Sequence, residues 1–188
     1  LWRTDVGGSV SDKPVSNSDL IFAGSFDMRV YALDSQSGDV RWTAPAEASV
    51  WGAPLYVDGT VYYADLDGNV FAVDAQDGDA IWQNSGAGYV IAEPVYADGK
   101  IYIASGGDPN DSPDERTGAL ISYDAATGDE LERASTNAPL YTSPVIVGDK
   151  IVVAQQDQQA LLGLDLFHKY RLWANSTHRN GWVRRSLV

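Results

Sequence analysis

Apolar residues in this chain gather into short runs that do not alternate with polar ones. Val61-Tyr62-Tyr63-Ala64, Val70-Phe71-Ala72-Val73, Ile101-Tyr102-Ile103-Ala104 and Ile151-Val152-Val153-Ala154 are examples. A sheet with one wet face would alternate, so both faces of these strands must meet dry surface. No stretch carries helical periodicity of any length. Tight-turn pairs punctuate the runs, as in Asp58-Gly59, Asp67-Gly68 and Asp77-Gly78. Between them the pattern predicts strands around Ser49–Val57, Thr60–Asp65, Asn69–Ala75 and from Asp79 to about Ser85.

This four-strand unit repeats. Pro14, Pro54, Pro94 and Pro144 are spaced by 40, 40 and 50 residues, and Asp34, Asp74, Asp124 and Asp165 by 40, 50 and 41. Trp2, Trp42 and Trp82 keep the 40-residue step, and Trp173 follows Asp165 as Trp82 follows Asp74. Four short antiparallel strands in about forty residues is the size of one β-propeller blade. Gly38, Gly78 and Gly128 stand four places after the aspartate, where a turn needs positive φ. The aspartate can accept hydrogen bonds from its own turn's amides. The tryptophans are plates that can dock between blades, each indole N–H needing an acceptor. All of these read as structural residues. The longer third step places an insertion at Gly107–Arg116.

Ala32-x-Asp34-x-x-x-Gly38-x-x-x-Trp42 and Ala72-x-Asp74-x-x-x-Gly78-x-x-x-Trp82 resemble the tryptophan-docking motif of pyrroloquinoline-quinone-type (quinoprotein-like) propeller repeats. The third copy departs, with Glu132 where tryptophan is expected. The fourth has Gly163 for alanine and Lys169 for the motif glycine. The expected fold is therefore all-β: one propeller segment over residues 1–188, with four consecutive four-stranded antiparallel blades at about 10–45, 49–85, 89–135 and 139–176. Residues 1–6 match the fourth strand of a preceding blade, and residues 182–188 the first strand of a following one. The family resembles seven- and eight-bladed rings, so the chain corresponds to about half of one. It reads as a mature or excised segment of a longer protein, or as a half that a second copy completes.

The net charge of −13 sharpens the functional reading. Residues 1–167 carry 8 − 26 = −18, while residues 168–188 hold five basic side chains and no acid. With no basic face over most of its length, the chain is not expected to bind nucleic acid. No apolar stretch approaches the roughly 18–20 residues of a membrane-spanning helix. Cysteine is absent, which excludes a disulfide framework without fixing the compartment. The resemblance implies an extracytoplasmic protein.

Quinoprotein dehydrogenases of this repeat type use the quinone with calcium, and the resemblance there includes an adjacent cysteine pair, which this chain lacks. Other relatives are non-enzymatic and bind proteins through propeller rims. Neither His168 nor His178 belongs to a zinc or nucleophile–base motif. Asp65-Leu66-Asp67-Gly68-Asn69 begins like a calcium loop but falls on a recurring hairpin turn, and it is read as a turn. The acidic insertion, with Asp108, Asp111, Asp114 and Glu115, is a weak calcium candidate whose default reading is a solvated loop. The better binding candidate is positional. Three residues before each repeat proline stand Ser11, Trp51, Ile91 and Tyr141, with Arg184 in the partial fifth copy. The slot keeps its place and varies in type, unlike the structural slots, so Trp51, Tyr141 and Arg184 are the expected ligand or partner rim. The reading is a non-catalytic binding or scaffold module without cofactor, whose partner is a protein or a second copy. The alternative is a fragment of a quinone-dependent oxidoreductase, using pyrroloquinoline quinone and calcium, whose cofactor site lies mostly elsewhere.

The charge excess makes a prediction about salt. Screening shortens the range of self-repulsion from about 10 Å at 0.1 M to about 3 Å at 1 M. Molar sodium chloride is expected to raise the melting temperature more than millimolar calcium does. A thermal-shift series in the two salts checks this.

Overall fold

A computed structural model describes residues 1–108, 110, 112, 117–155, 160–165 and 173–176. They form four four-stranded sheets, each in the order of the chain and antiparallel throughout. Blade 1 holds β1 (Val15–Ser16), β2 (Leu20–Ser25), β3 (Arg29–Asp34) and β4 (Val40–Pro45). Blade 2 holds β5 (Leu55–Val57), β6 (Thr60–Ala64), β7 (Val70–Asp74) and β8 (Ala80–Asn84). Blade 3 holds β9 (Val95–Ala97), β10 (Lys100–Ser105), β11 (Gly118–Asp124) and β12 (Glu130–Thr136). Blade 4 holds β13 (Val145–Val147), β14 (Lys150–Gln155), β15 (Ala160–Asp165) and β16 (Trp173–Ser176). Among the described residues there is no helix.

The blades stack face to face, which explains the missing alternation. Phe22, Val30 and Ala32 of blade 1 meet Val61, Tyr63, Phe71 and Val73 of blade 2 in one apolar layer. Tyr62, Ala64 and Val70 on the opposite side of blade 2 meet Ile101, Ile103 and Ile121 of blade 3. Tyr102, Ala104 and Leu120 then meet Ile151, Val153, Leu162 and Leu164 of blade 4. Neighbouring residues on β7 are consequently buried on opposite sides of the same sheet.

The inner strand is shorter than the sequence pattern predicts. Only Leu55–Val57 forms the strand expected around Ser49–Val57. Pro54 has no N–H to give a ladder. Upstream of it, Ser49 and Val50 turn their backbone groups to other partners: Leu66 N–H donates to Ser49 O, and Val50 N–H to Ser25 O. Residues 49–54 are thus part of the connection between blades.

Trp42 sits over Gly78 of the next blade, where any Cβ would lie 2.8 Å from the indole. Gly78 also has φ +79°, a second reason for glycine there. The indole N–H of Trp42 donates to Ala75 O at 3.1 Å, and Trp82 donates to Ala125 O at 2.9 Å. Trp2 repeats the arrangement on blade 1, over Gly38 and donating to Ser35 O at 3.2 Å. Residues 1–6 therefore dock as expected of a preceding fourth strand, although they form no ladder. The acceptor residues do two jobs. Ala75 N–H donates to Gly59 O, and Ala125 N–H to Gly99 O, tying the two hairpins of a blade together. Asp74 and Asp124 accept from the amides of Gln76 and Ala126. A bulge recurs where the third and fourth strands pair, after Ala32, Ala72 and Ser122. It leaves Ala32 opposite Trp42 and Ala72 opposite Trp82, small residues under large plates.

Trp42 is buried, but Trp82 is only half-buried, less than the motif suggests. Glu132, in the tryptophan slot of blade 3, is half-buried beside Tyr102. Replacing Trp42 by Ala is expected to cost about 3–5 kcal/mol, Trp82 less and Trp2 least. Denaturant titration of the three variants gives the order.

Buried tyrosines set a second expectation. Burial pushes the phenols of Tyr102 and Tyr123 up to about 12. The folded state holds these protons more tightly than the unfolded one. Their contribution to stability is therefore fully present below pH 10 and is lost as pH rises from there toward 12. Unfolding and phenolate absorbance are expected to rise together across that window.

Candidate rim site

Antiparallel order places the hairpin turns and the tryptophan docks at one end of each blade. The other end carries the connections between blades and the turns joining second to third strands. Trp51 and Tyr141 of the sequence-predicted rim fall at this second end. Its frame is backbone. Phe26 N–H donates to Ser9 O, Leu66 N–H to Ser49 O and Gly106 N–H to Tyr89 O.

A buried polar side chain anchors the same point in successive blades: Ser25, Asp65, Ser105 and Gln155. Asp65 is fully buried and accepts from the amides of Glu47, Ala48, Asp67 and Asn69, and from the Asn69 side chain. An unpaired carboxylate could not be held there; five donors make it a fixed structural hub. The turn reading of 65–69 is the right one.

Trp51 is 41% exposed, and its ring rests on Phe26 of blade 1 with centroids 5.1 Å apart. Next to Phe26 in the same turn, Met28 is half-exposed in the left-handed region at φ 63°. Below it, Tyr31 donates its hydroxyl to Asp27 at 2.5 Å, a bond that raises the phenol's pKa. The Trp51 carbonyl accepts from Ser11 Oγ at 2.6 Å, so two members of the predicted slot are neighbours from blade to blade. Tyr141 is half-buried with its ring against Gly106, where a Cβ would stand 2.2 Å from it. Tyr89 meets it edge-on at 6.2 Å. Trp51 and Tyr141 thus have separate ring partners, two blades apart. Ile91 is half-buried.

Arg184, Asp111, Asp114, Glu115, His168, His178 and the end strand at 182–188 lie outside the described residues. Of the acidic insertion, Asp108 accepts from the backbone and side-chain amides of Asn110 at 2.8 and 2.9 Å. Gly107 belongs to the frame rather than to the insertion, since its carbonyl accepts from Tyr89 N–H at 2.7 Å. Between blades 2 and 3 a cleft of about 610 Å³ is lined by Gly86, Gly88, Gly107, Gly118, Ser105 and Arg133. Asp67, Asp108, Asn110, Thr117 and Ser135 line it too, and the Arg133 guanidinium is engaged by both oxygens of Glu130 and by Gly86 O.

Sequence reasoning missed the stitching just inside the rim. Asp12 accepts from Ala53 N–H at 3.1 Å, Ser143 Oγ accepts from Glu93 N–H at 3.0 Å, and Lys13 meets Glu93 at 2.8 Å, spanning from blade 1 to blade 3. Glu93 holds the lysine's pKa up. The signal was present in the two positions before each repeat proline, which vary as the third does. A quinone with calcium would need open oxygen ligands near this inner position. Asp12 and Glu93 are both committed to contacts between blades, so these residues do not fit that pair.

Comparisons with known proteins follow the same geometry. The sequence profile of the family described as outer membrane protein assembly factor BamB matches residues 1–108 and 67–185. No curated protein sequence matches the chain. BamB from Moraxella catarrhalis superposes with TM-score 0.71 at 16% identity, covering 92% of this chain and 54% of its own. Quinohemoprotein alcohol dehydrogenase from Comamonas testosteroni gives 0.76 at 17%, covering 90% and 35%. The computationally designed Ika4 protein gives 0.71 at 13%, covering 86% and 94%. The chain therefore spans about half of that BamB and about a third of that dehydrogenase. At such identities the likeness is one of fold, shared by an assembly factor and an enzyme alike.

Proposed function

Because the chain belongs to the outer membrane protein assembly factor BamB family of PQQ-like repeats, we propose that it is a non-catalytic binding module that grips a protein partner through the loop end of its blades. The observation that carries this reading is Trp51. A tryptophan 41% exposed and held against Phe26 is a rigid aromatic anchor with low entropy cost. Its backbone is fixed from the neighbouring blade by Ser11, so the anchor is preorganised. Tyr141 over Gly106 extends the same rim on blade 3. The family description supports an extracytoplasmic setting at the outer membrane. Catalysis by a quinone is the lesser reading, since the inner carboxylates are already occupied.

Trp51→Ala tests the proposal cleanly because it removes an exposed ring. Stability is expected to change by less than about 1 kcal/mol, while partner capture in affinity purification drops at least tenfold. An Ile81→Ala control, at an exposed position on the outer strand, is expected to keep it. Undiminished capture by Trp51→Ala would overturn the rim assignment.

A further inference from the structure

Aspartate followed by glycine occurs four times in the chain, at 58–59, 67–68, 77–78 and 98–99. The pair carries its own chemistry. A glycine N–H, unshielded by a Cβ, can attack the side-chain carboxyl carbon of the aspartate before it. The new N–C bond closes a five-membered succinimide, and the OH of the carboxylic acid leaves with the amide proton as water. Water then reopens the ring at the original backbone carbonyl, and the chain runs on through the side chain as isoaspartate. One water leaves and one returns, so the mass is unchanged and the backbone is longer by one methylene.

The fold treats the four pairs differently. Gly68 N–H donates to Asp65 O at 3.1 Å, and the backbone of Gly88 is packed where a Cβ would stand. Gly78 N–H donates to Asp74 O at 2.9 Å beneath the Trp42 ring, and the Asp77 carboxylate accepts from Asp79 N–H at 3.0 Å. Asp58-Gly59 and Asp98-Gly99 instead form the two-residue turns between β5 and β6 and between β9 and β10. All four of these residues are exposed. Among the described residues nothing bonds the Gly59 or Gly99 N–H, or the Asp58 or Asp98 carboxylate. No atom lies within 4 Å of the place a Cβ on either glycine would take. The two aspartates stand at φ 46° and 49°, in the left-handed region, where a residue with a side chain is held at a cost.

We propose that these two turns are sites of self-modification to isoaspartate, and that the change loosens the joints between blades. Each turn is one peptide away from a joint. Gly59 O accepts from Ala75 N–H, and Ala75 O accepts the Trp42 indole. Gly99 O accepts from Ala125 N–H, and Ala125 O accepts both the Trp82 indole and the Tyr62 hydroxyl. An extra methylene just before Gly59 or Gly99 moves that carbonyl and leaves the alanine N–H short of its acceptor. Blade 4 places Gly148-Asp149 in the same slot, so its aspartate is followed by Lys150, whose side chain shields the amide. Both reactive turns lie at the docking end of the blades, so the proposal stands apart from the rim.

The test holds the folded chain at mildly acidic pH, where the reacting carboxyl is protonated, and maps it by electron-transfer fragmentation, which separates isoaspartate from aspartate. Isoaspartate is expected at 58 and 98 at least tenfold faster than at 67, 77 and 149. In urea the four Asp-Gly pairs are expected to react alike. Aged protein is expected to unfold at lower denaturant than fresh protein. The double variant Asp58→Gly/Asp98→Gly, which keeps turns able to take positive φ and removes both carboxyls, is expected to age without that loss. Equal accumulation at all four pairs in the folded chain overturns the assignment of sites, as does the same ranking in urea or no isoaspartate at 58 and 98. An aged chain that carries isoaspartate in both turns with its denaturation midpoint unchanged overturns the link to the joints.

Discussion

The architecture depends on a plate laid on a glycine. Each docking tryptophan reaches forward one blade, covers a residue with no side chain, and gives its single N–H to a carbonyl of the same turn. That contact fixes both the distance and the rotation between successive sheets, because the donor has one direction and the ring one plane. Apolar layers between sheets supply most of the burial but little direction. The indole bond supplies the direction. Its acceptor residue also closes the two hairpins within a blade, so order inside a sheet and order between sheets meet at one peptide unit.

The two ends of the blades consequently carry different constraints. At the docking end, aspartate, glycine and tryptophan recur because turn, close approach and hydrogen bond each demand one residue type. At the loop end the frame is made by backbone, with a buried polar side chain whose identity changes from serine to aspartate to glutamine. What projects from a backbone frame can vary, and it does: serine, tryptophan, isoleucine and tyrosine share one slot. Binding surfaces arise where scaffold and side chain are uncoupled in this way.

Much of this could be read from the chain alone, and the parts that could not share a cause. The strands, the blade limits, the glycine turns and the need for an indole acceptor follow from local chemistry repeated at a period. The acceptor's identity does not, since it depends on which residue the next blade brings beneath the ring. Nor does the hub at Asp65, whose donors Glu47 and Ala48 come from the preceding connection. The place of Trp51 at the loop end was legible from its position in the repeat. Phe26, which props it, was not, because it belongs to a turn with no repeated type. Trp82 is less buried than Trp42 although the motif is identical, so the pattern fixes the contact and its surroundings set the depth.

The insertion in blade 3 shows what this division allows. Trp82 reaches its carbonyl across 43 positions where Trp42 needs 33, yet the two bonds differ by 0.2 Å. Ten residues enter the chain between these partners and the joint does not register them. The extra length leaves and re-enters at the loop end, between Gly107 and Thr117, far along the strands from the indole. The same point in the other blades is therefore a ready splice junction. A foreign peptide, an epitope or a small folded module placed there would be displayed outward on a scaffold that does not have to readjust.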